Sequence, residues 1–302
     1  MSTWVFITIF AALMQTIRTS IQKSLTKFLS AEVITWIRFI FGFPIVIIYV
    51  VVLHNSGFEF PSINQKFIVY CLFAGLFQII GTILLVSLFS HRNFAVSTAY
   101  TKTEAIQVAI FGAIFFQEYL NILSSIAVIL GMLGVVIMSS SQQNIQLKSL
   151  LIGLNNKSVF IGITSGASFA FDALLIREAI LILNHDIPLT NAALTLLVIL
   201  ILNIIQLGIW ITYKNRTMFK GILFYWKRSL LVGVTSAIGS IAWFTAFALT
   251  QAAYVKTVGQ VELLFSILVT QRIFKEGISR TEIFSIFLII ASIVILIYST
   301  NS

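Results

Sequence analysis

Charged side chains within apolar segments are the residues of this sequence best placed to do chemistry. The stretch AYTKTEAIQ, residues 99–107, holds Lys102 and Glu104, and apolar segments flank it on both sides. Glu262 lies in a similar setting later in the chain. If such segments cross a membrane, each bare charge costs on the order of 3 kcal/mol, and desolvation favours the neutral acid. We expect Glu104 to exchange protons or to bind a cationic group, with a structural hydrogen bond as the alternative. For Glu262 both roles stay open.

The composition is typical of a membrane protein. Of 302 residues, 59% are hydrophobic and 10% are charged, whereas soluble domains carry roughly 25% charged residues. Apolar stretches of about 20 residues recur, and each is long enough to cross a ~30 Å hydrocarbon core as a helix. We predict an all-α membrane protein with ten transmembrane helices, over residues 3–22, 31–53, 67–90, 94–116, 121–140, 158–183, 190–212, 229–249, 252–274 and 280–299. Pro44 is expected to kink the second of them.

The remaining polar residues argue against an enzyme, a metal site or a cofactor. The sequence contains no phosphate-binding glycine loop, no Ser-His-Asp set and no zinc motif. Its three histidines, His54, His91 and His185, are far apart. Cys71 is the single cysteine, so an intramolecular disulfide is excluded. The net charge of +9 fits cations at membrane edges, and we expect no nucleic acid partner.

The basic residues predict an orientation in the membrane. Of those between the predicted helices, twelve follow odd-numbered helices, whereas the even-numbered connections and both termini hold only Lys66. Lys and Arg are enriched in cytoplasmic loops. We therefore predict an integral protein of a bacterial cytoplasmic membrane, surrounded by lipid, with both termini outside.

Two halves of the chain share a common register. A shift of 158 residues aligns 72–138 with 230–296 without a gap, and places Gly75 on Gly233 and Glu104 on Glu262. Because each half holds five predicted helices, the halves must have opposite orientations. Such inverted repeats are typical of secondary transporters that bind substrate near the midplane. We predict two five-helix repeats, residues 1–140 and 156–300.

These features resemble the drug/metabolite transporter superfamily, specifically its EamA-type members. The resemblance rests on ten helices, the 5+5 repeat, and the glutamates in FFQEYL (115–120) and IFKEGI (273–278) at the ends of helices 4 and 9. It implies transport of metabolites, amino acids or drugs, often by export and often coupled to protons. Many such proteins carry a proline after a glutamate within helix 4 or 9. Here Ala105 and Leu263 follow the glutamates, so the prolines that would break these helices are absent. Such proteins usually have both termini in the cytoplasm, opposite to the charge pattern.

Further charges lie deep in the predicted helices. Arg38 is in the second helix, Asp172 in the sixth, and Arg18 nearer the end of the first, where snorkelling to the interface is the alternative. We expect Arg38 or Arg18 to pair with Asp172 or Glu104. Residues two apart lie on nearly opposite sides of a helix, so Lys102 is not expected to pair with Glu104.

Polar and aromatic residues complete the candidate site. Gln107 shares a helix face with Glu104, and Tyr100 and Trp243, with Trp36 and Tyr254, are candidates for aromatic walls. Lys256 is expected to snorkel to the membrane edge.

The buried cations indicate the class of substrate. Several cations would repel a lipophilic cation, so a zwitterion or an organic anion fits better. We predict a monomeric, proton-coupled secondary transporter that exports or exchanges a small molecule such as an amino acid or an organic acid. The alternatives are a flippase for a lipid-linked phosphate and an uptake exchanger for a nucleotide-like metabolite.

Overall fold

The computed structural model describes residues 3–91, 101–141, 157–215, 220–274 and 279–301. Within these ranges the chain forms helices joined by turns, and no strand occurs in them. The helices are α1 (Thr3–Leu25), α2 (Ala31–Ile40), α3 (Phe43–Asn55), α4 (Gln65–His91), α5 (Glu104–Phe115), α6 (Ile122–Ser141), α7 (Lys157–Ile182), α8 (Pro188–Asn215), α9 (Lys220–Phe224), α10 (Trp226–Leu249), α11 (Ala252–Gly259), α12 (Val261–Phe274) and α13 (Arg280–Asn301). The all-α prediction is confirmed for these residues.

Seven helical stretches in the described ranges are long and apolar enough to cross a membrane. They are Thr3–Leu25, Ala31–Asn55, Gln65–Phe89, Val159–Ile182, Pro188–Lys214, Trp226–Leu249 and Arg280–Thr300. They correspond to the predicted helices 1, 2, 3, 6, 7, 8 and 10. Two further apolar helices, Glu104–Phe115 and Ile122–Met138, are shorter. The count of ten transmembrane helices therefore stays a prediction.

Three of the predicted helices are interrupted. The second predicted helix breaks between α2 and α3, where Pro44 lies in the first turn of α3. Proline favours the first turn of a helix, because it lacks the N–H that would be unpaired there and its φ is fixed near the helical value. The other two interruptions were not expected, because no proline follows the glutamates. Lys102 and Thr103 form a turn before α5, and Gln260 separates α11 from α12. The predictions of continuous helices over 94–116 and 252–274 are wrong at these points.

The charge at each unexpected break explains why a new helix begins there. Glu104 lies in the first turn of α5 and Glu262 in the first turn of α12. A carboxylate is stabilised at a helix N-terminus by the free N–H groups and the macrodipole. Glycines of neighbouring helices make room for the breaks. A Cβ on Gly166 of α7 would lie 2.9 Å from the Thr103 hydroxyl, and one on Gly131 of α6 would collide with the Gln260 side chain.

The helices pack with their apolar surfaces outward and their charges inward. The most extensive contacts join α4 to α7, α6 to α13, and α1 to α10. Large apolar side chains such as Ile209 and Phe287 are about two-thirds exposed, whereas Glu262 is buried. This distribution is the reverse of that in soluble proteins. It is suited to lipid, which solvates apolar side chains and leaves charges to be neutralised inside.

Candidate functional site

A cavity in the interior brings together charged side chains from both halves of the chain. Its volume is about 40 Å³, which leaves room for a few water molecules and not for a metabolite. Four basic and three acidic side chains are among the described residues around it, so their formal charge is +1. The lining residues are Gln15, Arg18, Arg38, Gln78, Leu85, Thr101, Lys102, Glu104, Phe169, Asp172, Ile176, Ser240, Trp243, Phe244, Phe247, Lys256 and Glu262.

Lys102 bridges the two glutamates that the sequence singles out. Its ammonium pairs with Glu262 Oε2 and lies 3.5 Å from Glu104 Oε1. The expectation that Lys102 and Glu104 do not pair is wrong. It assumed an unbroken helix, whereas Lys102 lies in the turn before α5 and its side chain is free to point the same way as that of Glu104. The expected neutral glutamate is therefore replaced by a buried ion-pair network.

Lys256 supplies the second cation of this network. Its Nζ lies 3.4 Å from Glu104 Oε2, and its side chain is 9% exposed. The expectation that Lys256 snorkels to the membrane edge is wrong, because a nearby buried carboxylate compensates its charge. On the other side of the network, Gln15 Nε2 donates a 2.7 Å hydrogen bond to Glu262 Oε2. Trp243 Nε1 in turn donates to Gln15 Oε1 at 3.0 Å, which orients the indole ring along the cavity.

The two arginines of the cavity pair with none of the described carboxylates. Arg38 donates to the hydroxyls of Ser236 and Thr82, each at 2.9 Å. Arg18 is buried, and its Nε has no hydrogen-bond partner among the described residues. The expectation that an arginine pairs with Asp172 or Glu104 is wrong, because lysines hold Glu104 and the Gln78 amide holds Asp172. Burial also removes the alternative that Arg18 snorkels to the interface.

Asp172 is the carboxylate of the cavity that is held by a neutral group. Gln78 Nε2 lies 3.3 Å from each of its oxygens, and Asn203 Nδ2 donates to Gln78 Oε1 at 3.0 Å. Among the described residues no Lys or Arg forms an ion pair with Asp172. This carboxylate can therefore accept a proton or a ligand cation without first breaking an ion pair.

Seven of the nine candidate residues line the cavity. These seven are Glu104, Lys102, Arg38, Asp172, Glu262, Trp243 and Arg18. Gln107 instead donates to Thr103 and to the Ile163 carbonyl at the contact between α5 and α7. Tyr100 lies outside the described residues. The aromatic candidate Trp36 donates to the Ile204 carbonyl and is not among the lining residues.

The sequence interpretation missed several lining residues. Lys256 precedes Glu262 by six residues, a position from which snorkelling to the interface is expected. Gln15 carries no charge that would single it out in the sequence. Gln78, Phe169 and Phe247 carried no sequence signal, since such residues are common in packed helices. Within the described ranges, no three His, Cys, Asp or Glu side chains come close enough to hold a metal ion.

A partly buried ion pair, between Arg177 and Glu118, lies outside the lining of the cavity. Arg177 pairs through Nε with Glu118, in the connection between α5 and α6. Its Nη1 also donates to the carbonyls of Phe247 and Thr250 at the end of α10, each at 2.6 Å. Carbonyls at a helix C-terminus have no partner within the helix. Arg177 thus joins α7, the α5–α6 connection and the end of α10.

Comparisons with known proteins agree with this architecture. The EamA-like transporter family matches residues 2–140. A solved structure, described only as a crystal structure of a protein, is similar with a TM-score of 0.70. It is 13% identical, and the match covers 97% of this chain and 95% of that chain. At this identity the likeness shows the fold alone. No curated protein sequence matches the chain.

Proposed function

We propose that this integral membrane protein is a secondary transporter of a small zwitterionic or anionic metabolite. The proposal starts from the match of residues 2–140 to the EamA-like transporter family, a family of membrane transporters for small molecules. Amino acids and organic acids are substrates whose charge matches the site. The observation that carries the proposal is the surplus positive charge of the cavity. Arg18 and Arg38 have no carboxylate partner among the described residues, so they can take a substrate carboxylate.

Proton coupling is part of the proposal, and Asp172 is its best-supported carrier. A proton carrier must change its charge without dismantling the site. Glu104 and Glu262 are both held by lysines, whereas the described partner of Asp172 is the neutral Gln78 amide. Protonation of Asp172 would therefore leave the contacts of Lys102 and Lys256 with the two glutamates in place.

Alternating access between two inverted five-helix repeats, residues 1–140 and 156–300, is the proposed mechanism. Helix packing supports it. The contact of α4 with α7 has its counterpart in that of α10 with α1, and the contact of α8 with α4 in that of α2 with α10. An exchange of the two halves converts each contact into its counterpart. Fused halves make a monomer sufficient, and the basic loops favour outward termini in a cytoplasmic membrane.

Counterflow in proteoliposomes tests the function. Vesicles loaded with unlabelled amino acids, organic acids or nucleotides would be offered the labelled compound, with and without a pH gradient. We expect exchange of a zwitterion or a carboxylate, lost in Arg38→Gln and kept in Glu59→Gln, a change in an exposed loop. Exchange of nucleotides alone would support the uptake exchanger instead. Movement of a labelled lipid-linked phosphate without any counterflow would support the flippase and overturn the proposal.

A further inference from the structure

The ammonium group of Lys256 lies among three aromatic rings. Its Nζ is 5.2 Å from the ring centroid of Trp243, 5.8 Å from that of Phe247 and 5.9 Å from that of Phe169. A cation within about 6 Å of a ring face is attracted by the ring quadrupole, and aromatic cages of this kind bind ammonium ligands. Glu104 Oε2, 3.4 Å from the same nitrogen, adds a counter-charge. We call these three rings and Glu104 the ammonium cage.

The ammonium cage is held in place by its neighbours. Trp243 and Phe247 lie one turn apart on α10 and stack with their centroids 6.1 Å apart. The hydrogen bond from the indole to Gln15 fixes the plane of the Trp243 ring. Gly259 makes room for that ring, since a Cβ there would lie 2.6 Å from Trp243 Cη2. The glycine, the stacked pair and the indole hydrogen bond together hold the aromatic rings in place around Lys256.

Lys256 occupies space that a ligand would need. All four members of the cage line the central cavity, whose volume is only about 40 Å³ while the lysine is present. The lysine enters from α11, on one side of the break at Gln260, so movement of this short helix can withdraw it. Its flexible four-carbon stem allows the same withdrawal without a change of the backbone.

We propose that the ammonium cage is the binding site for the cationic group of the substrate, and that Lys256 occupies it as a tethered ammonium until substrate displaces it. The inference rests on the proposed transport function and narrows its substrate to zwitterions. The ligand class is a primary or methylated ammonium that also carries a carboxylate, with Arg18 and Arg38 as its carboxylate partners. A simple organic anion has no group that would displace the lysine.

The charges of the cavity remain balanced during such an exchange. A substrate ammonium at Glu104 replaces one positive charge by another. The displaced Lys256 needs a new carboxylate, and Asp172 lines the same cavity with no ion pair to a described residue. Lys102 cannot serve as the tethered ammonium of the cage, because it contacts two glutamates and none of the described aromatic rings.

Removal of the tethered cation tests the inference. Tetramethylammonium chloride would be titrated by calorimetry into purified wild type, Lys256→Met and Lys102→Met, with sodium chloride as the salt control. We expect Lys256→Met to bind tetramethylammonium at least about tenfold more tightly than wild type. Without the lysine ammonium, the three desolvated rings are available to attract the added cation. Lys102→Met removes a lysine from the same cavity and leaves the cage filled, so it should show no gain. Equal gains in both variants, or none in Lys256→Met, would overturn the proposal.

A second measurement covers the case in which Lys256→Met does not fold. Wild-type protein at high tetramethylammonium concentration should change its tryptophan fluorescence, and the change should be absent in Trp243→Phe. Identical responses of the two proteins would refute the cage. Because binding in detergent does not require transport, these results are independent of counterflow. A cage that binds tetramethylammonium in a protein without counterflow would refute the proposed function and leave the cage standing.

Discussion

Lys102 and Glu262 form an ion pair that joins the turn before α5 to the first turn of α12. The two side chains are 5% and 1% exposed. They come from opposite halves of the chain, and each belongs to a helix that is broken at the level of the cavity. The ion pair therefore links the two breaks directly, and Lys102 extends the link to Glu104.

Glu262→Gln should destabilise the protein strongly. It leaves Lys102 with one carboxylate at 3.5 Å, and removal of one partner from a buried ion pair costs about 3–5 kcal/mol. Thermal unfolding in detergent would measure the loss as a lower midpoint temperature. Glu59→Gln, at an exposed loop position, should leave the midpoint unchanged.

The double variant Lys102→Met with Glu262→Gln should recover part of that loss. Removing both charges leaves no unpaired ammonium in the interior, so the two effects on the free energy of unfolding should be less than additive. Thermal unfolding of the two single variants and the double variant completes the cycle. Strict additivity would mean that the two residues are not energetically coupled.

Asp172→Asn should impair transport more than stability. Asparagine keeps an oxygen that can accept the Gln78 hydrogen bond, now at 3.3 Å, so we expect a stability change of about 1 kcal/mol or less. The negative charge that is protonated in the proposed mechanism is lost. Substrate transport driven by a pH gradient should therefore fall at least about tenfold. The same preparations would be used for unfolding and for transport. A variant that transports normally but unfolds early would assign Asp172 to the scaffold.

Two glycine variants should distinguish an effect on substrate binding from an effect on the stability of the fold. A Cβ at Gly259 would meet the Trp243 ring at 2.6 Å, whereas one at Gly233 would meet the backbone at Gly42 at 2.8 Å. Overpacking of this kind costs about 1–3 kcal/mol. Gly259→Ala should displace the indole and weaken substrate binding, while Gly233→Ala should lower the unfolding temperature with substrate affinity unchanged. Tryptophan fluorescence and thermal unfolding would be recorded for both.

Arg177→Lys should destabilise the junction at the end of α10. An ammonium cannot reproduce the planar guanidinium that serves Glu118 and the carbonyls of Phe247 and Thr250 together. We expect a loss of about 1–3 kcal/mol in the free energy of unfolding, because carbonyl oxygens are left without donors. Arg228→Lys, at an exposed position in the first turns of α10, serves as the matched control. Equal unfolding temperatures for the two variants would contradict the bridging role.

Cysteine labelling should decide the orientation. Cys71 is the single native cysteine and is buried, so Cys71→Ala provides a background without thiols. Ser62→Cys precedes α4 and Lys227→Cys lies near the start of α10, and both positions are exposed. The basic loops predict that an impermeant maleimide labels Ser62→Cys in intact cells and Lys227→Cys only after lysis. The reverse pattern would place both termini in the cytoplasm.

Helical class, membrane character and most candidate residues were predictable from the sequence, because they depend on composition and on local periodicity. A charge in an apolar segment is costly wherever that segment packs, so Glu104, Glu262, Arg38 and Asp172 stood out without any structure. Lys256 did not, since it lies six positions before Glu262 and a lysine near a helix end can also reach the interface.

The sequence by itself determined that charges would be buried in this protein, and only the tertiary structure decided which of them meet. Pairing depends on two helix breaks that no proline marks, and on glycines of α6 and α7 that let neighbouring helices approach those breaks. A helical wheel assumes a continuous helix, so it separated Lys102 from Glu104 where the turn brings them within 3.5 Å. The ammonium cage likewise joins α7, α10 and α11, because attraction between a cation and distant rings is settled by packing and leaves no trace in local sequence.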